Sequence, residues 1–251
     1  MRIDHPERSQ IPALRALWKE AFGDSDAYLD LFFDRGYDPD KAMCVSDGEM
    51  VAAALYWLDM DYSGGKIAYI YAVATAKSHR GQGLCRKLMD ATHRILQTQG
   101  YVAAVLVPQD AGLARMYAAM GYLPGSGIRE LHCEAAQTAV PLKPVSSDTY
   151  HRLRKELLPP EGIALGQKAQ ALLASQAEFF AGEGILLAAV REETKVIGLE
   201  LLGDETAAPG IVAALGCREG VFRMPGGDPF AMYIPLVQSV DAPGHLGFAF
   251  D

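Results

Sequence analysis

Between Ile11 and Phe22 the apolar positions Leu14, Leu17, Trp18 and Ala21 recur at helical spacing, which predicts an amphipathic helix. GDSDAYLDLFFDRGYDPD reads as a second, shorter helix, with Asp24 or Ser25 as N-cap and Gly36 closing it. AMCVSDGEMVAAALYWLDMDY predicts two strands joined by an Asp47-Gly48 turn. Ser63-Gly64-Gly65 makes a further turn, and Lys66 to Thr75 is the next strand. A helix is expected from about Gly83 to Gly100, and YVAAVLVP is a nearly all-apolar strand suited to the middle of a sheet. Ala111 to Met120 returns to helical spacing and stops at Gly121.

Around residues 136–147 the composition shifts to AAQTAVPLKPVSS, which reads as a linker. Beyond it, Thr149–Leu158 and Leu165–Phe180 look helical, and LLAAVREETKVIGLELLGD looks like a hairpin. Setting Ala42–Asp59 over Leu187–Asp204 places Val45 on Val190 and Val51 on Val196, a weak internal repeat preceded in both places by two helices. The pattern gives an α/β chain with mixed sheets, divided into residues 1–137 and a smaller second domain, 138–251. The tail GHLGFAFD is expected to add a strand and bury Phe248 and Phe250, leaving Asp251 as a solvated end.

Composition is that of an ordinary globular protein of 251 residues, half of them apolar. Residues 1–138 carry 14 Lys/Arg against 17 Asp/Glu and the rest 9 against 14, so both parts are acidic. This argues against a nucleic-acid partner. Cys44, Cys85, Cys133 and Cys217 lie far apart, which favours neither a zinc site nor a disulfide framework and fits reduced thiols in the cytoplasm. The charged start, MRIDHPERSQ, is unlike a signal peptide, and no apolar run reaches membrane-spanning length.

The candidate chemistry lies in HRGQGLCRKLM, where two glycines separate a strand from a helix. A helix N-terminus offers unpaired N–H groups and partial positive charge, and glycines let the backbone approach a ligand. Arg80, Gly81, Gln82, Gly83, Leu84, Cys85 and Arg86 therefore form a candidate pyrophosphate cradle. The Walker pattern G-x-x-x-x-G-K-[ST] is absent, and a dinucleotide fingerprint would need a third glycine where Arg86 stands. The pattern that fits is R-x-x-G-x-[GA]. A second constellation follows in DAGLARMYAAMGYLPG: Asp110, then Met116-Tyr117, then Gly121-Tyr122.

With both motifs in this order, residues 1–135 resemble the GCN5-related N-acetyltransferases (GNAT superfamily). Cys85 departs from the glycine or alanine usual there, and Leu113 stands where alanine is more usual. The resemblance implies a GNAT fold that binds acetyl-CoA as co-substrate, its pyrophosphate on the Arg80–Arg86 loop and Asp110 part of the second motif. It implies a bulge near Val73, Ala74 and Thr75 that frees a backbone N–H for the thioester carbonyl. It implies Tyr117 as the acid that protonates the leaving thiolate, and no metal. For the general base Asp59, Asp61, Tyr71, His93 or an ordered water chain stay open. The six aspartates from Asp24 to Asp40 would suit a cationic amine, though helix capping also explains them.

The second half lacks both motifs, so if it is a copy it is a degenerate GNAT-like one, without the acetyl-CoA loop and not a second catalytic unit. The tandem arrangement, with VATAKSHRGQGLCR, is similar to the enhanced-intracellular-survival type of aminoglycoside acetyltransferase. Those proteins assemble into larger oligomers and carry a further domain for which this chain is too short; homo-oligomerisation is left open, and their substrate is not carried over. The expected activity is acetyl transfer to a primary amine of a small molecule. The alternative is a non-catalytic acyl-CoA-binding regulatory or partner-binding module.

Overall fold

The computed structural model describes residues 1–250; the expectation placed on Asp251 lies outside them. The chain divides into two compact units, one of Met1–Leu123, Gly166–Leu172 and Tyr233–Asp241, the other of the remainder.

In the first unit β1 (Arg2–Asp4) precedes α1 (Ile11–Phe22) and α2 (Asp26–Leu31). α1 has Pro12 in its first turn and ends at Gly23, held at φ 77°, so its sequence punctuation works as expected. Of the two candidate caps for α2, Ser25 is the one used, its hydroxyl accepting from Tyr28 N. The hairpin β2 (Ala42–Asp47) and β3 (Met50–Tyr62) turns at Gly48-Glu49, one residue later than expected, because Asp47 still pairs with Met50. β4 (Gly65–Thr75), α3 (Leu84–Thr98), β5 (Ala103–Leu106), α4 (Ala111–Ala118) and β6 (Leu123–Pro124) follow.

Next in the chain come β7 (Gly127–Glu134), β8 (Lys143–Pro144), α5 (Ser147–Leu157), β9 (Ala164–Leu165), α6 (Gln167–Gln176) and β10 (Glu178–Gly182). Then follow β11 (Ile185–Arg191), β12 (Lys195–Gly203), α7 (Ala208–Ala214), β13 (Glu219–Pro225), β14 (Asp228–Pro229) and β15 (Met232–Pro235). The helix expected over Leu165–Phe180 stops at Gln176. Phe179 and Phe180 instead lie in β10, where they are buried and pair with Ala188 and Leu187.

The first sheet runs β1-β2-β3-β4-β5-β15-β6 and the second β14-β7-β13-β12-β11-β10-β8. α1 and α3 both pack on β3 and β4, and every residue from Val51 to Leu58 is buried, so both faces of the sheet are covered. β4 and β5 are parallel but pair only over Ile67–Tyr69 and Ala103–Val105. Beyond that they diverge. At the same level β4 carries an extra residue, since Ala54 faces Ala74 and Tyr56 faces Tyr71, leaving Leu55 opposite both Ala72 and Val73. Ala72 takes the left-handed conformation, φ 47°, that such a bulge imposes.

Residues 143–225 repeat this order, with β9 inserted between α5 and α6 and with α6 divided between the two units. β1-α1-α2-β2-β3-β4-α3-β5 has its counterpart in β8-α5-α6-β10-β11-β12-α7-β13, with the same antiparallel and parallel pairings throughout. The repeat is therefore present, but the residue alignment that set Ala42–Asp59 on Leu187–Asp204 is one strand out. β11 and β12 correspond to β3 and β4, because the crossover helix follows β12 as it follows β4. The core of the second unit joins Leu187, Val196, Leu201, Ile211, Val212 and Phe222. The tail forms no strand, although Phe248 and Phe250 are buried as expected.

Candidate active site

Where β4 and β5 part, a cleft of about 630 Å³ opens between the end of β4, the N-terminus of α3 and α4. Val73, Ala74, Thr75, Arg80, Gly81, Gly83, Leu84, Cys85, Arg86, Asp110 and Tyr117 all line it. Gln82 is exposed on the loop beside it. Two distant motifs thus meet at one cavity because α3 and α4 both start from the same end of the sheet.

Gly81 and Gly83 sit at φ 76° and 72°, with open space where a Cβ would point. Both need glycine for the left-handed turn. No side chain caps α3 and its first turn holds no acidic residue, so its leading N–H groups face the cleft with their positive end uncompensated. Arg80 Nε donates to Thr75 O at 3.2 Å and Arg86 Nη2 to Ala119 O at 2.8 Å, which anchors each guanidinium at one nitrogen. In an acidic chain, this is a basic concavity that suits a phosphate-bearing ligand.

The bulge is the other half of the site. Two β4 residues oppose one on β3, and past Tyr69 β4 pairs with no residue of β5, so its edge beside Val73 and Ala74 faces the cleft. Tyr117 is 6 % exposed and lines the same cavity, with the ring of Tyr122 at 5.7 Å. Burial, helped by neighbouring Cys85, pushes its phenol well above the ordinary value, so it carries its proton throughout the neutral range.

Asp110 has a structural duty as well. Its carboxylate accepts from Leu113 N at 2.8 Å as the N-cap of α4. Asp110→Ala is expected to cost about 1 kcal/mol of stability. A thermal melt indistinguishable from that of the parent protein would contradict this.

The residues left open as bases are mostly engaged. Asp59 accepts from Lys41 Nζ at 2.6 Å and from the Tyr101 hydroxyl, with Lys66 Nζ 3.6 Å away. Burial opposes its charge, yet these partners hold its carboxyl below the ordinary range. His93 does not line the cleft; it bonds the Tyr122 hydroxyl at 2.9 Å and burial lowers its pKa to about 4, so it is neutral. Tyr71 is buried one residue before the bulge, hydroxyl to hydroxyl with Tyr28, and burial with that neighbour raises its pKa strongly. Asp61 is exposed.

The aspartates before β2 are largely committed too. Asp26 pairs with Lys19, Asp30 with Arg15, Asp38 with Lys168 and Asp34 with Arg35. Asp24 accepts from Trp18 Nε1 at 2.7 Å. Sequence reading missed Ala72 at the bulge and, in the cleft's apolar lining beside Met116 of the second motif, Phe22 and Met120. Only Phe22, an aromatic side chain 42 % exposed at the end of α1, left a trace in the pattern.

Residues 2–125 match the model of the acetyltransferase (GNAT) domain. The matched residues, 2–125, therefore form an acetyltransferase domain of the GNAT superfamily, and the remainder of the chain repeats their order of strands and helices. Among solved structures it is similar to a GCN5-related N-acetyltransferase from Kribbella flavida, with TM-score 0.71 and 16 % identity, covering 92 % of this chain and 70 % of that one. Eis1 from Mycobacterium abscessus gives TM-score 0.67 at 9 % identity, over 94 % and 74 %. A tandem GNAT protein from the clavulanic acid biosynthesis pathway gives 0.57 at 10 %, over 95 % and 100 %. At these identities the likeness is one of fold. No curated protein matches the chain by sequence. Among the described residues, no helix is long and apolar enough to cross a membrane.

Proposed function

We propose that the first unit transfers an acetyl group from acetyl-CoA to the primary amine of a small molecule, by direct attack on the thioester. The observation that carries this reading is the uncapped N-terminus of α3, with Gly81, Gly83 and Arg80, lying beside a bulged and splayed β4 in one cleft. The residues fit the co-substrate: a pyrophosphate needs main-chain donors and a fixed cation, and both face the cavity. Acetyl-CoA would supply the activated acetyl group.

The chain's own residues then have distinct tasks. The Arg80–Arg86 loop holds phosphate oxygens, and the freed edge of β4 pairs with amide groups of an extended arm. The backbone N–H released near Val73 donates to a carbonyl oxygen as negative charge develops there. Tyr117 holds a proton at its hydroxyl and delivers it to a departing sulfur. The amine must arrive unprotonated, and no residue is assigned to receive its proton. The cleft's tyrosine is what favours an enzyme over a binding module, since a sensor needs no acid beside a thioester. Four thiols unpaired with one another suit the reducing cytoplasm.

Calorimetry with acetyl-CoA, followed by thiol release against a panel of primary amines, tests the reading. Binding to the parent protein, weakened about 10–100-fold by Arg80→Ala, is the expected result for loss of one charge-assisted phosphate contact. A parent protein that does not bind acetyl-CoA would overturn it.

A further inference from the structure

The second unit keeps the shape of the groove but not its contents. β12 and β13 pair in parallel only from Lys195 to Gly198 and then separate, as β4 and β5 do. β12 also carries one extra residue at the same point: Ala188 faces Glu200 and Ala189 faces Gly198, so Leu199 is bulged out. By position in the ladder, Glu200 is the counterpart of Ala74, the first paired residue past the bulge in the first unit. The turn after β12 is Gly203-Asp204-Glu205-Thr206, and the Asp204 carboxylate already accepts from Thr206 N at 2.9 Å. An acidic, self-capped turn repels the phosphates that the Gly81–Gly83 turn would attract.

The C-terminal segment lies against the parted end of β12, at Glu200. Glu200 is fully buried; its carboxylate accepts from Tyr150 at 2.7 Å, from Arg154 Nε at 2.6 Å and Nη2 at 2.8 Å, and from His245 Nε2 at 3.0 Å. Because a carboxylate only accepts, His245 carries its proton on Nε2. Arg154 Nη2 also donates to Leu246 O at 3.0 Å, and its guanidinium lies 5.1 Å from the centre of the Phe248 ring. Leu246 N donates to Ser126 Oγ at 3.3 Å, next to β7 where that strand pairs with the end of β13. The tail therefore runs from Glu200 of β12 to Ser126, and its main chain is held by residues 161–163, His245 O accepting from Ile163 N at 2.9 Å and Gly244 N donating to Glu161 O at 2.7 Å. Gly247, at φ 81°, passes so close over Glu200 that a Cβ would collide with its carboxylate.

We infer that the second unit is a self-occupied copy of the acyl-CoA groove, in which residues 242–250 take the place of an extended acyl-CoA arm and Glu200 with Arg154 is the latch that holds them. The comparison of grooves rests on reading the first as the acetyl-CoA site; the placement of the tail stands on the contacts above. The unit's own ligand is thus a peptide supplied by the same chain, and its groove is closed to acyl-CoA.

Hydrogen exchange read by mass spectrometry on the full chain, with and without acetyl-CoA, tests this in the parent protein, Glu200→Gln and Gly247→Ala. In the parent, residues 242–250 should exchange at least tenfold more slowly than an open peptide, and acetyl-CoA should protect 73–86 without loosening 242–250. Each substitution should speed exchange of 242–250 at least tenfold while residues 185–191 stay protected. Should Glu200→Gln open residues 185–191 as well, Gly247→Ala decides. A tail that is unprotected in the parent, indifferent to both substitutions, or released by acetyl-CoA would overturn the inference. Absence of protection at 73–86, with the tail behaving as expected, would overturn the acetyl-CoA reading alone and uphold the latch.

Discussion

Tyr117→Phe should bind acetyl-CoA as tightly as the parent protein yet release thiol about 10²–10⁴ times more slowly with any amine that serves as acceptor, the range typical of losing a positioned general acid. The substitution removes one oxygen from a buried ring that already packs on Tyr122, so the fold should be unaffected. The pH profile sharpens the test. An acid works while protonated, and burial raises the Tyr117 pKa, so the high-pH limb due to this residue lies above the ordinary tyrosine value of 10.0. In the parent protein the acid should not fail at pH 8 or 9. Calorimetry separates binding from turnover, and full turnover in the variant would remove Tyr117 from the chemistry.

Arg154→Met should be the most damaging substitution in the second unit. Removing one member of a buried ion pair strands the other, at a cost of about 3–5 kcal/mol. Glu200 would keep only Tyr150 and His245 against complete burial. The double variant Arg154→Met with Glu200→Leu should recover much of this loss, because no charge is then left unpaired. The pair also sets an acid limit. Burial works against the Glu200 charge, but Arg154 and His245 prevail and lower its pKa from 4.5 to about 2. A depressed folded pKa gives stability that is present above 4.5 and lost as pH falls toward 2. Urea unfolding between pH 7 and 3 should show this loss in the parent and not in Glu200→Gln. Arg154→Met within 1 kcal/mol of the parent would show that the pair holds nothing.

Much of the first unit was legible because its elements carry local punctuation. α1 has a clean apolar stripe and a closing Gly23, and the Arg80–Cys85 turn is written entirely in consecutive residues. The second motif was equally local, and only the parting of β4 and β5 brings the two together. What escaped the sequence depends on distant partners. β1 is three residues long and exists only by pairing with β2. β7 precedes the proline-containing stretch at 136–147 but hydrogen-bonds to β13, some ninety residues on. The ends of the Leu165–Phe180 segment read as one helix because a short buried strand and a helix share the same apolar residues. The aligned valines of the two hairpins matched by alternation alone, which any pair of strands satisfies; only the crossover helix fixes the register. Glu200 gave no signal in LELLG, since a glutamate between leucines reads as a solvent-facing position until Arg154 is folded against it.

The bulge in both copies has a consequence for what each part of such a protein is made of. Backbone geometry alone shapes the parted strands, and it survives in a unit whose turn is acidic and whose gap holds a glutamate. Duplicating the fold therefore duplicates a vacancy, and a vacancy in a protein interior has to be filled. One copy leaves it to a diffusible molecule, chosen by a turn of glycines and arginine. The other closes it with residues 242–250 of its own chain, converting a place for chemistry into a fastening.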